Sequence, residues 1–311
     1  MPFAIEENVS LADKNWFRTG GAARYYAAPK NASEFAMALN FAQEKKVDLF
    51  LLGEGANILI SDEGFPGLII HPTMTKLTTD HDNGELTAEA GVTIDEMINF
   101  SLEHHLCGLE EFAGIPGSVG GAVYINIHYF EFLLSQFLTR ATVIKKSDAS
   151  IHTVSKEWFH FGYDTSSLHT RDYFLLDATF KLTPLPNAVA IAYAKGRRDE
   201  IVRHRARRYP TERTCGSFFR NFHPHEVPFQ INGKTIVSIA YYLDAIGAKS
   251  FPTSGGASVS SKHANMIVTK EGATTNDILT LAQKLKQTVH ARFGITPQCE
   301  CVRLPHNLTD S

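Results

Sequence analysis

Four glycine-bearing turns carry the residues best suited to hold an anion: Gly20-Gly21, Gly53-Glu54-Gly55-Ala56-Asn57, Gly114 to Ala122, and Gly255-Gly256-Ala257. Glycine permits positive φ and lacks the Cβ that blocks close approach, so consecutive amides can converge on a phosphate or pyrophosphate. None of the four is a Gly-x-Gly-x-x-Gly fingerprint between a first strand and a helix, nor a Gly-x-x-x-x-Gly-Lys-Ser/Thr loop, which disfavours a Rossmann or P-loop site. Any single glycine pair reads first as a tight turn. The run Gly114-Ile115-Pro116-Gly117-Ser118-Val119-Gly120-Gly121-Ala122 goes further. Four glycines and a fixed-φ proline lead into the apolar Ala122-Val123-Tyr124-Ile125, a stiff, amide-rich loop set against a core element and suited to a ligand.

Other reactive residues give less. The four cysteines, Cys107, Cys215, Cys299 and Cys301, form no disulfide framework, and a reducing compartment leaves them as thiols. Cys299 and Cys301 flank Glu300, but no second CxxC or paired histidines complete a tetrahedral set, so no metal is expected. Arg197, Arg198, Arg203, Arg205, Arg207 and Arg208 either face an anionic substrate or form a solvated helix face with Asp199 and Glu200 as partners, the second being preferred.

The elements that must position these loops follow from periodicity. Residues 31–46 open with a Ser33 or Asn31 cap and place Phe35, Leu39 and Ala42 on one face of a helix. Short apolar runs at Val47 to Leu52, Asn57 to Ile60 and Leu68 to Ile70 read as buried strands, giving a small α/β lobe. Strands at Leu86 to Ala90, Arg140 to Lys145 and Phe174 to Leu182, with a helix at Ile94 to His104, make a second lobe. Pro184-Leu185-Pro186-Asn187 reads as a linker. Helices at Gly196 to Arg208, Ser238 to Ala245 and Thr275 to Phe293 frame a third lobe, the last with Ile278, Leu281, Leu285 and Val289 in register. The lobes are expected at 1–72, 73–185 and 186–311.

With 311 residues the chain is too long for one comfortable core. A formal charge of −3 gives no electrostatic reason to bind nucleic acid or an anionic membrane. The start, Met1-Pro2-Phe3-Ala4-Ile5-Glu6-Glu7, has no basic region followed by an apolar stretch, and nowhere do about 18 apolar residues run together, so a cytoplasmic protein is expected.

The ordered motifs resemble a known family. Asn15 with Thr19-Gly20-Gly21-Ala22-Ala23, then Leu52-Gly53-Glu54-Gly55-Ala56-Asn57-Ile58-Leu59 with Asp62-Glu63-Gly64 and Gly67, then Gly114 to Ala122 with Asn126, resemble the FAD-binding half of the UDP-N-acetylenolpyruvoylglucosamine reductases. Cys215-Gly216-Ser217-Phe218-Phe219-Arg220-Asn221, then Gly255-Gly256-Ala257, Val259-Ser260 and Lys262-His263-Ala264-Asn265, then Phe293-Gly294-Ile295 and Glu300, resemble the substrate-binding half. The resemblance covers residues 15 to about 303 in collinear order. It implies an α+β, vanillyl-alcohol-oxidase-like (PCMH-type) FAD-binding fold of two α/β lobes plus a C-terminal α+β substrate domain whose last segment returns with Glu300. The absence of a large insertion between Asn221 and Gly255 resembles the short form of the family.

By that resemblance the cofactor is FAD and the co-substrate NADPH, and a UDP-sugar bearing an enolpyruvyl group is reduced to UDP-N-acetylmuramate in peptidoglycan precursor synthesis, by a monomer. The FAD-binding positions are Gly53, Glu54, Gly55, Ala56, Asn57, Ile58, Gly114, Ile115, Pro116, Gly117, Ser118, Gly120, Gly121, Ala122 and Asn126. Ser217 matches the proton donor, Glu300 the second catalytic residue, and Tyr163, Arg220 and Asn221 the substrate-binding positions. On residue type alone Ser217 reads as a turn serine and Glu300 as a surface glutamate. Several departures stand out: Ala56 where serine is usual, Arg220 where lysine is usual, Cys299 and Cys301 around Glu300, and Ile127-His128-Tyr129-Phe130 where a small segment is usual. Asp164, in Phe161-Gly162-Tyr163-Asp164-Thr165-Ser166, occupies the position of an arginine that neutralises the substrate carboxylate. Either a nearby cation such as Arg171, Arg18 or Arg220 substitutes, or turnover is weakened, or the local alignment is shifted; substitution by Arg171 is favoured because it lies in the same connection. The competing readings are a flavin-binding homologue with altered or lost activity, and another oxidoreductase on the same fold.

Overall fold

The computed structural model describes residues 3–305 other than Glu212 and Ile231. Strands β1 (Ile5–Ser10) and β2 (Ala22–Ala27) precede helix α1 (Ala32–Lys45), and β3 (Leu49–Leu51), β4 (Ile58–Ile60) and β5 (Phe65–Ile70) follow. The order β1-β2-β5-β3 makes a four-stranded sheet in which β3 and β5 run parallel. Of the two caps the sequence allows for α1, Asn31 is the one used: its side-chain oxygen accepts from the Glu34 amide at 2.9 Å.

The next hundred residues supply β6 (Leu77–Asp80), β7 (Glu85–Glu89), α2 (Ile94–Glu103), β8 (Leu106–Cys107), α3 (Val119–Ile125), β9 (His128–Tyr129) and β10 (Phe132–Leu133). They continue with β11 (Leu138–Lys145), β12 (Ile151–Ser155), β13 (Tyr173–Lys181) and β14 (Thr183–Pro184). A five-stranded antiparallel sheet runs β12-β11-β13-β7-β6. The sequence reading missed β12 because it is an edge strand whose residues are mostly exposed, with no apolar alternation to betray it. The linker expected at 184–187 is a paired segment instead. Pro184 lies opposite Leu106 in the β14–β8 ladder, the Leu185 amide donates to the His105 carbonyl at 2.8 Å, and Asn187 Oδ1 accepts from the Ala190 amide. Proline is tolerated there because an edge position needs no donor.

Helix α4 (Ala188–Arg208) starts earlier than the basic run suggests. It is followed by α5 (Ile239–Ala245), an antiparallel pair β15 (Ala257–Val259) and β16 (Ile267–Thr269), α6 (Thr275–Phe293) and β17 (Val302–Leu304). Helix α6 opens on a capping box between Thr274 and Asp277 and buries Ile278, Leu281, Leu285 and Val289, the register the sequence shows. Strand β17 pairs in parallel with β4, which lies outside the four-stranded sheet.

Two compact units result, one of residues 1–7, 25–54 and 66–205, the other of residues 8–24, 55–65 and 206–311. The first is built on a core that includes Phe35, Leu86, Ile98, Phe112, Val143 and Phe180, the second on one that includes Phe17, Leu59, Phe218, Tyr242 and Leu285. Each such side chain contributes about 1.5–3 kcal/mol by leaving water. The assignment of 8–24 and 55–65 to the second unit is a tertiary fact that no linear pattern carries. No helix of the described residues is long and apolar enough to cross a membrane.

Candidate active site

The two loops expected to hold flavin differ from the other two glycine turns in what their amides do. After the Leu52 amide donates to Ile70, none of the amides of Gly53, Glu54, Gly55, Ala56 and Asn57 donates to a protein acceptor among the described residues. Ile58 then enters β4. A Cβ on Gly55 (φ +65) would stand 2.4 Å from the Lys14 carbonyl oxygen, so only glycine fits. The side-chain oxygen of Asn57 is buried without a partner, an orphan that a ligand donor would satisfy. Glu54 has its carboxyl pKa raised by burial and by the nearby Glu96.

In the run at 114–122 most amides are engaged internally. Gly114 donates to Asp95, Ile115 to Phe112, Val119 to Val92, Gly120 to Ala90, Gly121 to Ser118 Oγ and Ala122 to the Ser118 carbonyl. The Gly117 and Ser118 amides, past Pro116, have no protein acceptor among the described residues, and a Cβ on Gly117 (φ +140) would meet nothing within 4 Å. The open face of the loop is therefore at Gly117-Ser118, while Gly120 and Gly121 serve packing and the start of α3. Gly53 lies against this loop: a Cβ there would sit 2.6 Å from Ser118 Oγ. By contrast, Gly21 and Gly256 donate to Ser61 and Asp277, and a Cβ on either would stand within 2.4 Å of a neighbouring atom. Those two turns are packing turns. The amides of Gly53, Glu54, Gly117 and Ser118 are thus left open to an anion, whereas the turns at Gly20-Gly21 and Gly255-Gly256 are filled by protein.

At the far end of α3, Asn126 is buried in a left-handed conformation (φ 50), and its side chain is used inside the protein. Its Nδ2 donates to the Gly162 carbonyl at 3.1 Å and its Oδ1 accepts from the Ser135 amide at 3.1 Å. Gly162 opens a tight turn closed by its amide donating to Thr165, with Tyr163 and Asp164 at the tip. Asp164 is left-handed (φ 53), and its carboxylate lies 3.2 Å from His128 Nδ1 on β9. Tyr163 is 65% exposed with its ring 4.7 Å from His128. The two segments that depart most from the family pattern thus meet. Arg171, the favoured substitute cation, lies 5.9 Å over the Phe50 ring, and Arg18 donates to the Asp13 carbonyl.

In the second unit Ser217 follows Gly216 (φ +75) and is held between two segments. On one side it pairs with Met266, and Asn265 clamps the next residues: the Phe218 amide donates to its carbonyl, the Phe219 amide to its Oδ1 at 3.0 Å, and its Nδ2 to the Phe219 carbonyl at 2.7 Å. On the other side Phe219 pairs with Cys299, and the Glu300 amide donates to the Phe218 carbonyl at 2.9 Å. Ser217 and Glu300 are far apart in sequence, and the Phe219–Cys299 pair and the Glu300 amide bring their segments side by side. Glu300 is exposed, not set in an apolar pocket. Cys299, Cys301 and Cys215 are free thiols beside it, Cys215 pushed up to about 12 by burial. Asn221 Oδ1 accepts from the Ile239 amide at the start of α5. Arg220 is committed to Glu226 through two bonds of 2.6 and 2.8 Å. Asn265 is the residue that sequence reasoning quoted without assigning a role; only its double bond to Phe219 reveals it.

Comparison with known proteins follows this geometry closely. A model described as the UDP-N-acetylenolpyruvoylglucosamine reductase C-terminal domain matches residues 208–304, and an FAD binding domain matches residues 23–155. The chain is 31% identical over 308 residues to the UDP-N-acetylenolpyruvoylglucosamine reductase of Shouchella clausii, covering 98% of this chain and 93% of that one. It is 33% identical over 293 residues to that of Trichormus variabilis, covering 94% and 83%.

The chain belongs to the UDP-N-acetylenolpyruvoylglucosamine reductase family.

Among solved structures, the UDP-N-acetylenolpyruvylglucosamine reductase of Thermus caldophilus aligns with a TM-score of 0.77 at 25% identity, covering 97% of this chain and 99% of that one. The fold is the FAD-binding PCMH type, and FAD is the cofactor. Within the family frame the basic helix α4 is a paired surface: Arg197 bonds Glu111 and Glu200, Arg198 bonds Asp199, and Arg205 Nε donates to the Gly114 carbonyl.

Proposed function

We propose that this protein reduces UDP-N-acetylglucosamine enolpyruvate to UDP-N-acetylmuramate with NADPH, through FAD, in peptidoglycan precursor synthesis. The observation that most supports this reading is that the segments of Ser217 and Glu300 lie side by side, held by Asn265 and by the Glu300 amide. Bound FAD would supply the hydride carrier between NADPH and the terminal vinyl carbon of the sugar nucleotide. Charge then builds on the carboxylate side of the former double bond, and the adjacent carbon needs a proton. Ser217 Oγ donates it, and a positioned donor of this kind is worth about 10²–10⁴ in rate. Ser217 is half-buried, in a segment whose backbone is pinned on both sides. Glu300 acts on the same charge, and the open amides of Gly53, Glu54, Gly117 and Ser118 would hold the cofactor's pyrophosphate. In this reading the four-stranded and five-stranded sheets are the two flavin lobes, and the chain works as a monomer in the cytoplasm.

The test is spectroscopic. Purified protein should be yellow, bleach with NADPH in the absence of oxygen, and recover its colour on addition of the enolpyruvyl nucleotide. Ser217→Ala should bleach normally and recolour about 10²–10⁴-fold more slowly. Wild-type protein that bleaches but does not recolour overturns the reading in favour of another flavoprotein on this fold.

A further inference from the structure

Three of the four cysteines gather in the second unit, around the segment that carries Glu300. Cys299 pairs with Phe219, and the chain bends at Cys301 before entering β17. The two side chains meet: Cys299 Sγ lies 3.6 Å from the Cys301 carbonyl oxygen, and the two thiols share a hydrogen bond. A disulfide needs Cα atoms within about 6.8 Å, which full extension over two residues barely meets and a bend satisfies. The thiols differ in what their surroundings do to them. Cys299 is partly exposed, and the hydrogen bond from Cys301, with the Arg303 guanidinium beside it, lowers its pKa to about 7. About half of it is therefore thiolate near neutrality, and the thiolate is the form that peroxides oxidise. Cys301 is buried, and the same bond and its burial push its thiol up, so it keeps its proton; its Sγ also reaches the Ser217 carbonyl at 4.0 Å. Cys215 is buried against the carbonyls of Ile58 and Gly55, at 3.3 and 3.6 Å, and stays a thiol. Cys107, in the first unit, is also partly exposed, but burial and the nearby Glu110 raise its pKa.

We propose that Cys299 is a peroxide-reactive thiol and Cys301 its resolving partner, so that the two close a reversible disulfide around Glu300. The Cys299 sulfur attacks one oxygen of a hydroperoxide, the O–O bond breaks, and the other oxygen leaves, protonated, as water or an alcohol. Cys299 is then a sulfenic acid. The Cys301 sulfur displaces its hydroxyl, which departs as water with the Cys301 proton, and the S–S bond forms. The two sulfurs give up two electrons and the peroxide takes them. A dithiol reductant returns both cysteines to thiols by exchange and itself becomes a disulfide. The ring so closed contains Glu300, and closing it draws Cys301 off the Ser217 carbonyl, so oxidation acts on both segments that carry the reacting groups. That consequence for turnover rests on the reductase reading; the thiol chemistry does not.

The experiment uses FAD-loaded protein, first reduced with a dithiol and then freed of it, and hydrogen peroxide as the probe. Peptide mapping after a stoichiometric dose should show a Cys299–Cys301 disulfide, with Cys107 and Cys215 still open to alkylation once the protein is unfolded. Cys301→Ser should instead hold a sulfenic acid at Cys299 that dimedone traps, and Cys299→Ser should keep its remaining thiols reduced. With limiting iodoacetamide at pH 7, wild-type Cys299 should react at least about fivefold faster than Cys107, its larger thiolate fraction being partly offset by lower nucleophilicity. Oxidised wild-type protein should recolour with the enolpyruvyl nucleotide about ten- to hundredfold more slowly and regain its rate with a dithiol, whereas Cys299→Ser should be indifferent to peroxide. A Cys299–Cys215 bridge, oxidation led by Cys107, or wild-type thiols that survive the dose overturns the assignment, whether or not the enzyme turns over. A disulfide formed with the recolouring rate unchanged overturns its effect on the reacting groups. Reduced protein that never recolours sinks the reductase reading alone, because the mapping of the thiols stands without it.

Discussion

Arg220 shows how residue type and residue use can part. A cation next to Ser217 and Asn221 reads from sequence as a substrate ligand, yet six residues on lies Glu226, and the two form a bidentate pair. Nothing in the sequence separates these uses, since both call for an exposed arginine in the same motif. Asp164 shows a contact that the sequence does not: its carboxylate lies against His128. Ser217 and Glu300 were legible because each sits in an ordered motif; the geometry joining them was not. The Arg220–Glu226 pair has a testable pH signature. Hydrogen bonds from the guanidinium, reinforced by the His223 amide, hold the Glu226 pKa at about 2 against an ordinary 4.5. A depressed carboxylate stabilises the fold above its unfolded pKa and loses that contribution as pH falls through the folded one. Wild-type protein should therefore melt above Glu226→Gln at neutral pH, and the gap should close between pH 4.5 and about 2. A gap that stays constant across that window in thermal melts would mean that the pair is not the source of the difference.

At the scale of elements, strongly periodic helices were readable and edges were not. Helix α6 matches its expected span because four apolar positions repeat on one face and Thr274 and Asp277 close its start. Strand β12 and the β8–β14 pair lack such a signal, and Pro184 looked like a linker because its partner lies in a distant segment. The glycine loops show the same limit: composition alone could not tell a cradle from a packing turn, whereas the partners of each amide do. Gly53 is the sharpest case, since its missing Cβ is what lets the 53–57 loop approach Ser118. Gly53→Ala should strain the two loops by about 1–3 kcal/mol and weaken FAD binding about ten- to hundredfold. Adding Ser118→Ala should recover part of that affinity by removing the obstructing hydroxyl, although it also removes the cap on α3. Fluorescence titration of apoprotein with FAD checks both, and unchanged affinity in Gly53→Ala would show that the loops can separate without consequence for the cofactor.

At the scale of the whole molecule, what the sequence reading anticipated was the return of the C-terminal segment; what it could not anticipate was where that segment attaches. Strand β17 lies parallel to β4, with the Val302 amide donating to the Asn57 carbonyl at 3.0 Å and the Ser61 amide to the Leu304 carbonyl at 2.8 Å. Two residues before Val302, Glu300 is bonded through its amide to Phe218, next to Ser217. One short stretch, 298–304, therefore ties Asn57 and β4 to the segment that carries Ser217 within the second unit. A parallel pairing across some 240 positions has no local signature, so periodicity could not reveal it. The arrangement predicts that the two functions can be separated by where this stretch is cut. Val302→Pro removes the donor to Asn57 without touching a reacting group, and should lower the melting temperature and FAD affinity together. Glu300→Gln leaves both backbone bonds intact and should slow recolouring while flavin content and melting temperature hold. If Val302→Pro instead retained full flavin and slowed only turnover, β17 would be positioning Glu300 alone, and Asn57 would be held by other means.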